Sequence, residues 1–184
     1  MSNHARTVTL VVLGVSGVGK SSVAAELVAR TGWEFVEGDD LHPEGNRRKM
    51  AAGHPLDDDD RRPWLHRVAA WIGELEAAGR SGVVTCSALK RSYRDLLRDG
   101  HPSVRFVHLL APPELIAQRV TARQGHYMPP SLLDSQLATL EDLQPDEPGT
   151  CVDTTGDPPT VAELALRELG LDGESRAATG GGPP

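Results

Sequence analysis

Gly14-Val15-Ser16-Gly17-Val18-Gly19-Lys20-Ser21 is built to hold phosphate. Glycines at this spacing let consecutive backbone N–H groups turn toward one anion. A lysine directly after the last of them brings a point charge to the β- and γ-phosphates, and the next hydroxyl is placed to ligate Mg²⁺. The pattern is G-x-x-x-x-G-K-[ST], the P-loop. Its chemistry is that of a nucleoside triphosphate with Mg²⁺. The nucleotide-binding residues expected are Gly14, Val15, Ser16, Gly17, Val18, Gly19, Lys20, Ser21 and Ser22.

Such a loop works only between a strand and a helix whose positive end faces the phosphates. Val8 to Leu13 supplies the apolar run of a buried parallel strand, and Ser22 to Arg30 carries helical apolar spacing. Further strands are expected at Glu34–Glu37, Val83–Cys86, Val104–Leu110 and Gly149–Asp153, with helices between them. The helices expected are Glu44–Ala52, one carrying Trp64 to Leu75, one carrying Tyr93 to Leu97, Glu114–Arg123, Ser131 to about Leu143, and Thr160–Leu169. This alternation implies an α/β fold, a parallel sheet with right-handed crossovers. Ligands of such sheets sit beyond the C-terminal strand ends. Glu37-Gly38-Asp39-Asp40 should therefore face the P-loop crevice.

Asp57 to Asp60 reads as an N-cap and first-turn charge with Pro63 early in the helix, because consecutive acids cannot all face one ion. Cys86 and Cys151 read as reduced core or site-wall residues. The 184 residues suit a single domain over 1–172, and Gly173 to Pro184 reads as a disordered tail. A net charge of −7 argues against a nucleic-acid partner. No apolar run approaches the roughly 20 residues of a membrane span. Met1 to Arg6 lacks a signal-peptide core, so a cytoplasmic location is expected.

What receives the phosphoryl group is narrowed by three features. The chain has no room for a separate regulatory domain, and no strand ends in the apolar-run-then-Asp pattern of a second nucleotide motif. Arg119 and Arg123, four apart on one helix face, precede a Gly-containing loop, the layout of a closing lid over about 119–135. Together these point to a small-molecule kinase of the shikimate kinase and nucleoside monophosphate kinase type, a three-layer sandwich on a five-stranded parallel sheet with a helical lid.

Several stretches resemble the gluconokinase family: Glu37-Gly-Asp-Asp-Leu-His42-Pro, Asn46-x-x-Lys49-Met50-x-x-Gly53-x-Pro55-Leu56, and Asp58-Asp-Asp60-Arg61-x-Pro63-Trp64-Leu65. So do Cys86-Ser-Ala-Leu-Lys90-x-x-Tyr93-Arg94, Arg119-x-x-x-Arg123-x-Gly125-His126, and Leu133-x-Ser135-Gln136-x-x-Thr139-Leu140. The resemblance spans residues 8 to about 170. Ser22, Glu37 and Tyr127 depart mildly from it. It implies ATP-dependent phosphorylation of D-gluconate at its terminal hydroxyl, and it suggests a homodimer. The carboxylate of such a substrate needs cations, for which Arg61, Lys90 and Arg94 are candidates, Arg61 for a forked contact. His42, Lys49, Ser87 and His126 are candidates for its hydroxyls. Asp39 is expected to align or deprotonate the attacking alcohol, Lys20, Arg119 and Arg123 to stabilise transferred charge, and Glu37 to reach Mg²⁺ through water. The helical insertion at about 41–80 would form the acceptor site. A related kinase such as shikimate kinase, or a nucleotide-sensing module with weakened catalysis, are the alternatives.

Overall fold

The structure, a computed structural model, describes residues 7–122 and 130–174. Strand β1 (Thr9–Leu13) runs into the P-loop and helix α1 (Lys20–Thr31). Then follow β2 (Glu34–Glu37), a 3-10 turn (Gly38–Leu41), α2 (Glu44–Ala51), α3 (Asp58–Ala77), β3 (Gly82–Thr85) and α4 (Arg91–Arg98). β4 (Val104–Leu110), α5 (Pro113–Ala122), α6 (Pro130–Thr139), β5 (Gly149–Asp153) and α7 (Pro158–Glu168) complete the chain, before a 3-10 turn over Asp172–Glu174. That turn takes in the first two residues of the expected tail; 175–184 lie outside the described residues.

All five strands pair in parallel in the order β2-β3-β1-β4-β5. The order reverses beside β1, so the crevice opens where β1 and β3 end. β1 is apolar throughout because both its faces are covered. Leu10 and Val12 pack with Leu27, Ala162 and Ala165 from α1 and α7. Val11 and Leu13 pack with Trp64, Val68 and Leu97 from α3 and α4. The period-two alternation thus splits one strand between two cores.

The acid run caps α3 as expected. Asp57 accepts from the Asp60 backbone N–H at 2.8 Å, and the Asp60 carboxylate accepts from the Asp57 N–H at 3.0 Å. Because the helix starts at Asp58, Pro63 lies a turn deeper than expected and gives up one helical bond. β3 ends one residue before Cys86. Among the described residues no helix is long and apolar enough to cross a membrane.

Candidate active site

The phosphate end is made by backbone. Val15 and Val18 bury their side chains under the loop, which leaves its main chain to face the crevice. Gly17 has φ 83°, and a Cβ there would stand 2.5 Å from Val120 on α5, so only glycine fits. Lys20 Nζ donates to the carbonyls of Gly14 and Val15, both at 3.0 Å. Ser22 lies exposed in the first turn of α1. The Ser21 hydroxyl donates to Glu37 Oε1 at 3.0 Å, and the Thr85 hydroxyl donates to the same oxygen at 2.5 Å. Thr85 Oγ1 also accepts from the Gly38 N–H at 3.2 Å. Three oxygen side chains thus converge at the ends of β2, β3 and α1, a donor set suited to a hard cation. Among the described residues no group of three or more His, Cys, Asp or Glu gathers as a metal cage.

Gly38 lets β2 turn into the cleft. A Cβ there would sit 1.9 Å from the Thr85 carbonyl oxygen. The Gly38 carbonyl accepts from Trp64 Nε1–H at 2.7 Å, which fixes the turn on α3. Asp39 follows, with its side chain 74% exposed. It walls a cleft of about 1300 Å³ together with Lys20, Ser16 and Ser87. His42, Arg61 and Lys90 line the same space. Cys86, beneath it, is fully buried; burial and the charge of Asp39 push its thiol up to about 12, so it stays protonated. Both cysteines are free, and Cys151 is exposed rather than in the core.

The cations of this cleft differ in what already holds them. Lys90 Nζ meets both oxygens of Asp58 at 2.9 and 3.0 Å. The Tyr93 hydroxyl donates to the same carboxylate. That bond first, and Lys90 second, hold the Asp58 carboxyl below its usual range. Arg61 donates through Nε to the Leu56 carbonyl at 3.3 Å and lies 5.8 Å from the Tyr93 ring centre. Among the described residues no carboxylate comes within 4.0 Å of Arg61.

Other candidates fall elsewhere. Lys49 is paired with Asp60 at 2.5 Å, tying α2 to the α3 cap, and does not wall the cleft. Arg94 is a correction. It is wholly buried and forms a forked pair with buried Glu147, at 2.6 and 3.0 Å. Its remaining donors go to the carbonyls of Ala88, Leu89, Glu141 and Asp142. With its donors so engaged it has nothing left for a substrate. Arg119 donates to the Val18 carbonyl at 3.0 Å and the Thr154 carbonyl at 2.6 Å, so it braces the P-loop against the end of β5. Arg123 and His126 lie outside the described residues.

Sequence reasoning gave no site role to Thr85, Tyr93 or Gln136, and it read Asp58 only as first-turn charge. Gln136 Oε1 accepts from the Ser16 N–H at 2.7 Å, bringing α6 onto the P-loop. Gln136 and Tyr93 stood inside quoted motifs, but their partners are 120 and 35 residues away, and no local pattern reports that.

The family model described as an AAA domain matches residues 10–143. The gluconokinase of Gluconobacter oxydans (strain 621H) is 50% identical over 160 residues, 87% of this chain and 90% of that protein. A sugar kinase from Janibacter sp. HTCC2649, solved without ligand, superposes with a TM-score of 0.86 at 48% identity, over 92% of this chain and 99% of that one. A gluconokinase from Sinorhizobium meliloti 1021 gives 0.79 at 46% identity, over 90% and 93%.

Proposed function

The chain belongs to the gluconokinase family, and we propose that its cleft transfers the γ-phosphoryl group of ATP to the terminal (C6) hydroxyl of D-gluconate. The products are 6-phospho-D-gluconate and ADP. The P-loop amides and Lys20 take the β- and γ-phosphates. Arg61 takes the gluconate carboxylate, with Lys90 beside it and Ser87 and His42 toward the hydroxyls. The chain is long enough that the carboxylate and the C6 hydroxyl can reach opposite ends of one cleft.

Asp39 accepts a hydrogen bond from the C6 hydroxyl and aligns its oxygen on the γ-phosphorus. A bond forms from that oxygen to phosphorus as the bond from phosphorus to the β–γ bridging oxygen breaks. The electron pair leaves with ADP, and the hydroxyl proton passes to Asp39. A primary alcohol is a weak acid, so alignment supplies more than early deprotonation. Ser21 and Glu37 fit Mg²⁺, which when bound neutralises charge on the β- and γ-phosphates. α2 and α3 form the acceptor insertion, about 41–80. The lid is assigned to about 119–135, from the last turn of α5 into α6; Arg123 and His126, outside the described residues, are assigned to the transferred phosphoryl group and a gluconate hydroxyl. Arg119 acts on the same phosphoryl group through its place beside the P-loop.

The observation that carries this reading is that Asp39 and Arg61 wall the same cleft as Lys20. An ADP-release assay across gluconate, shikimate, other sugar acids and nucleoside monophosphates tests it. Gluconate should be preferred, and Asp39→Asn should lower kcat by about 10²- to 10³-fold with ATP affinity unmoved. Brisk turnover of a different acceptor, with gluconate left intact, overturns the assignment.

A further inference from the structure

His42 is buried, and the protonation of its ring can be read from its neighbours. The Asp60 carbonyl oxygen can only accept, so the group 2.7 Å from it on Asn46 is the amide nitrogen, Nδ2. The same Nδ2 lies 3.2 Å from His42 Nδ1. An amide nitrogen carries two N–H groups and offers no lone pair, so Nδ1 must accept. In a neutral ring the proton is then on Nε2. Nε2 faces Asp39 Oδ1 at 3.8 Å.

The ring has little freedom to turn away. It stacks on Trp64, with centroids 4.2 Å apart and planes 16° from parallel. The same indole donates to the Gly38 carbonyl, one residue before Asp39. The charges facing the ring are Arg61 from α3, Arg47 from α2 and Asp39 from the 3-10 turn. Burial first, then Arg61 and Arg47, bring the imidazole down to about 4. Geometry gives the same direction, since a second proton on Nδ1 would oppose one N–H to another.

We propose that Asn46 is a positioning residue: by fixing the Nε2–H tautomer of His42 it keeps a neutral donor aimed at the Asp39 carboxylate, where the acceptor hydroxyl is aligned. The proposal rests on the role given to Asp39 above. The 3.8 Å separation exceeds a direct hydrogen bond. The exposed Asp39 side chain can close it by rotation, or an acceptor hydroxyl can bridge it. A neutral N–H steers the carboxylate, whereas an imidazolium would hold it in an ion pair and draw it from the alcohol. The opposite tautomer would present a lone pair and push the carboxylate away.

Nitrogen NMR of protein labelled in its histidine rings tests this without reference to turnover. The His42 signals are identified by their loss in His42→Gln. They should show Nδ1 bare and Nε2 protonated, unchanged from about pH 5.5 to 8. Asn46→Asp keeps the volume but can only accept, so the proton should move to Nδ1. Asn46→Ala should mix the tautomers. In both variants kcat, read with whichever acceptor the panel above identifies, should fall about 10- to 100-fold with the KM for ATP unchanged. Asn46→Asp should also gain a pH dependence that the parent lacks. A parent ring protonated on Nδ1 overturns the proposal, whether or not either variant folds. So do variants whose tautomer shifts while kcat stays, or which lose stability alone. A failure of gluconate as acceptor leaves the ring signals to decide the tautomer, so the two readings fail separately.

Discussion

The two ends of the cleft are made of different material. At the phosphate end the ligand-facing groups are main-chain amides in one uninterrupted run, with Lys20 and Ser21 directly after them. At the acceptor end they are side chains: Asp39 after β2, Arg61 on α3, Ser87 and Lys90 after β3. A backbone cradle has its geometry set by its own glycines. A side-chain site depends on which charges the rest of the fold has already claimed. The acceptor side shows three outcomes for three cationic side chains. Arg61 pairs with no carboxylate within 4.0 Å among the described residues, although its charge reaches Asp58; Lys90 shares Asp58, and Arg94 is sealed onto Glu147.

Breaking the first end should cost most. Lys20→Ala removes a charge that no neighbouring amide can replace where negative charge builds up, and kcat should fall by about 10³-fold or more. The denaturation midpoint should stay close to that of the parent, since Lys20 is only partly buried and belongs to neither core cluster. Turnover near the parent rate would mean that the phosphates lie elsewhere.

The second break separates a structural arginine from a ligand-binding one. Arg94→Ala leaves the Glu147 carboxylate buried without its partner. Burial alone would raise that carboxyl, and the Arg94 and Gln144 hydrogen bonds outweigh it and hold it low. Truncation should therefore lower stability by about 3–5 kcal/mol in denaturant titrations. Arg94→Met combined with Glu147→Leu should recover most of it. The KM for gluconate of the folded fraction should not move. A raised KM at parental stability would return Arg94 to the acceptor wall.

This contrast also marks how far the sequence could be read. The P-loop, the parallel sheet and the α3 cap were legible because their signals are local: glycine spacing, unbroken apolar runs, Asp57 three residues before Asp60. Asp39 was legible because strand ends share one side of such a sheet. Arg94 was not. Its helical position beside Lys90 and Arg91 is that of any basic residue, and only the return of the chain at Glu141 to Glu147 buries it. The pairing of Lys49 was not legible either, since its partner Asp60 belongs to another helix. The start of α3 fell a turn before Pro63, where its cap sets it, and β3 ended one residue before Cys86; periodicity fixes neither limit.

The smallest expected difference is the one between Arg61 and Lys90, and it bears most directly on the acceptor. Arg61→Ala removes a guanidinium that is in no ion pair within 4.0 Å among the described residues, so the KM for gluconate should rise about 10- to 100-fold with little change in that for ATP. Lys90 must leave Asp58 before it serves a substrate carboxylate. The pair is partly exposed, 32% and 58% at its two side chains, so that exchange is nearly even and the net gain is small. Lys90→Ala should then raise the KM only about 3- to 10-fold. Equal rises would mean that Asp58 releases Lys90 fully when gluconate binds. A larger rise for Lys90 would invert the assignment and make Arg61 the residue that supports the wall.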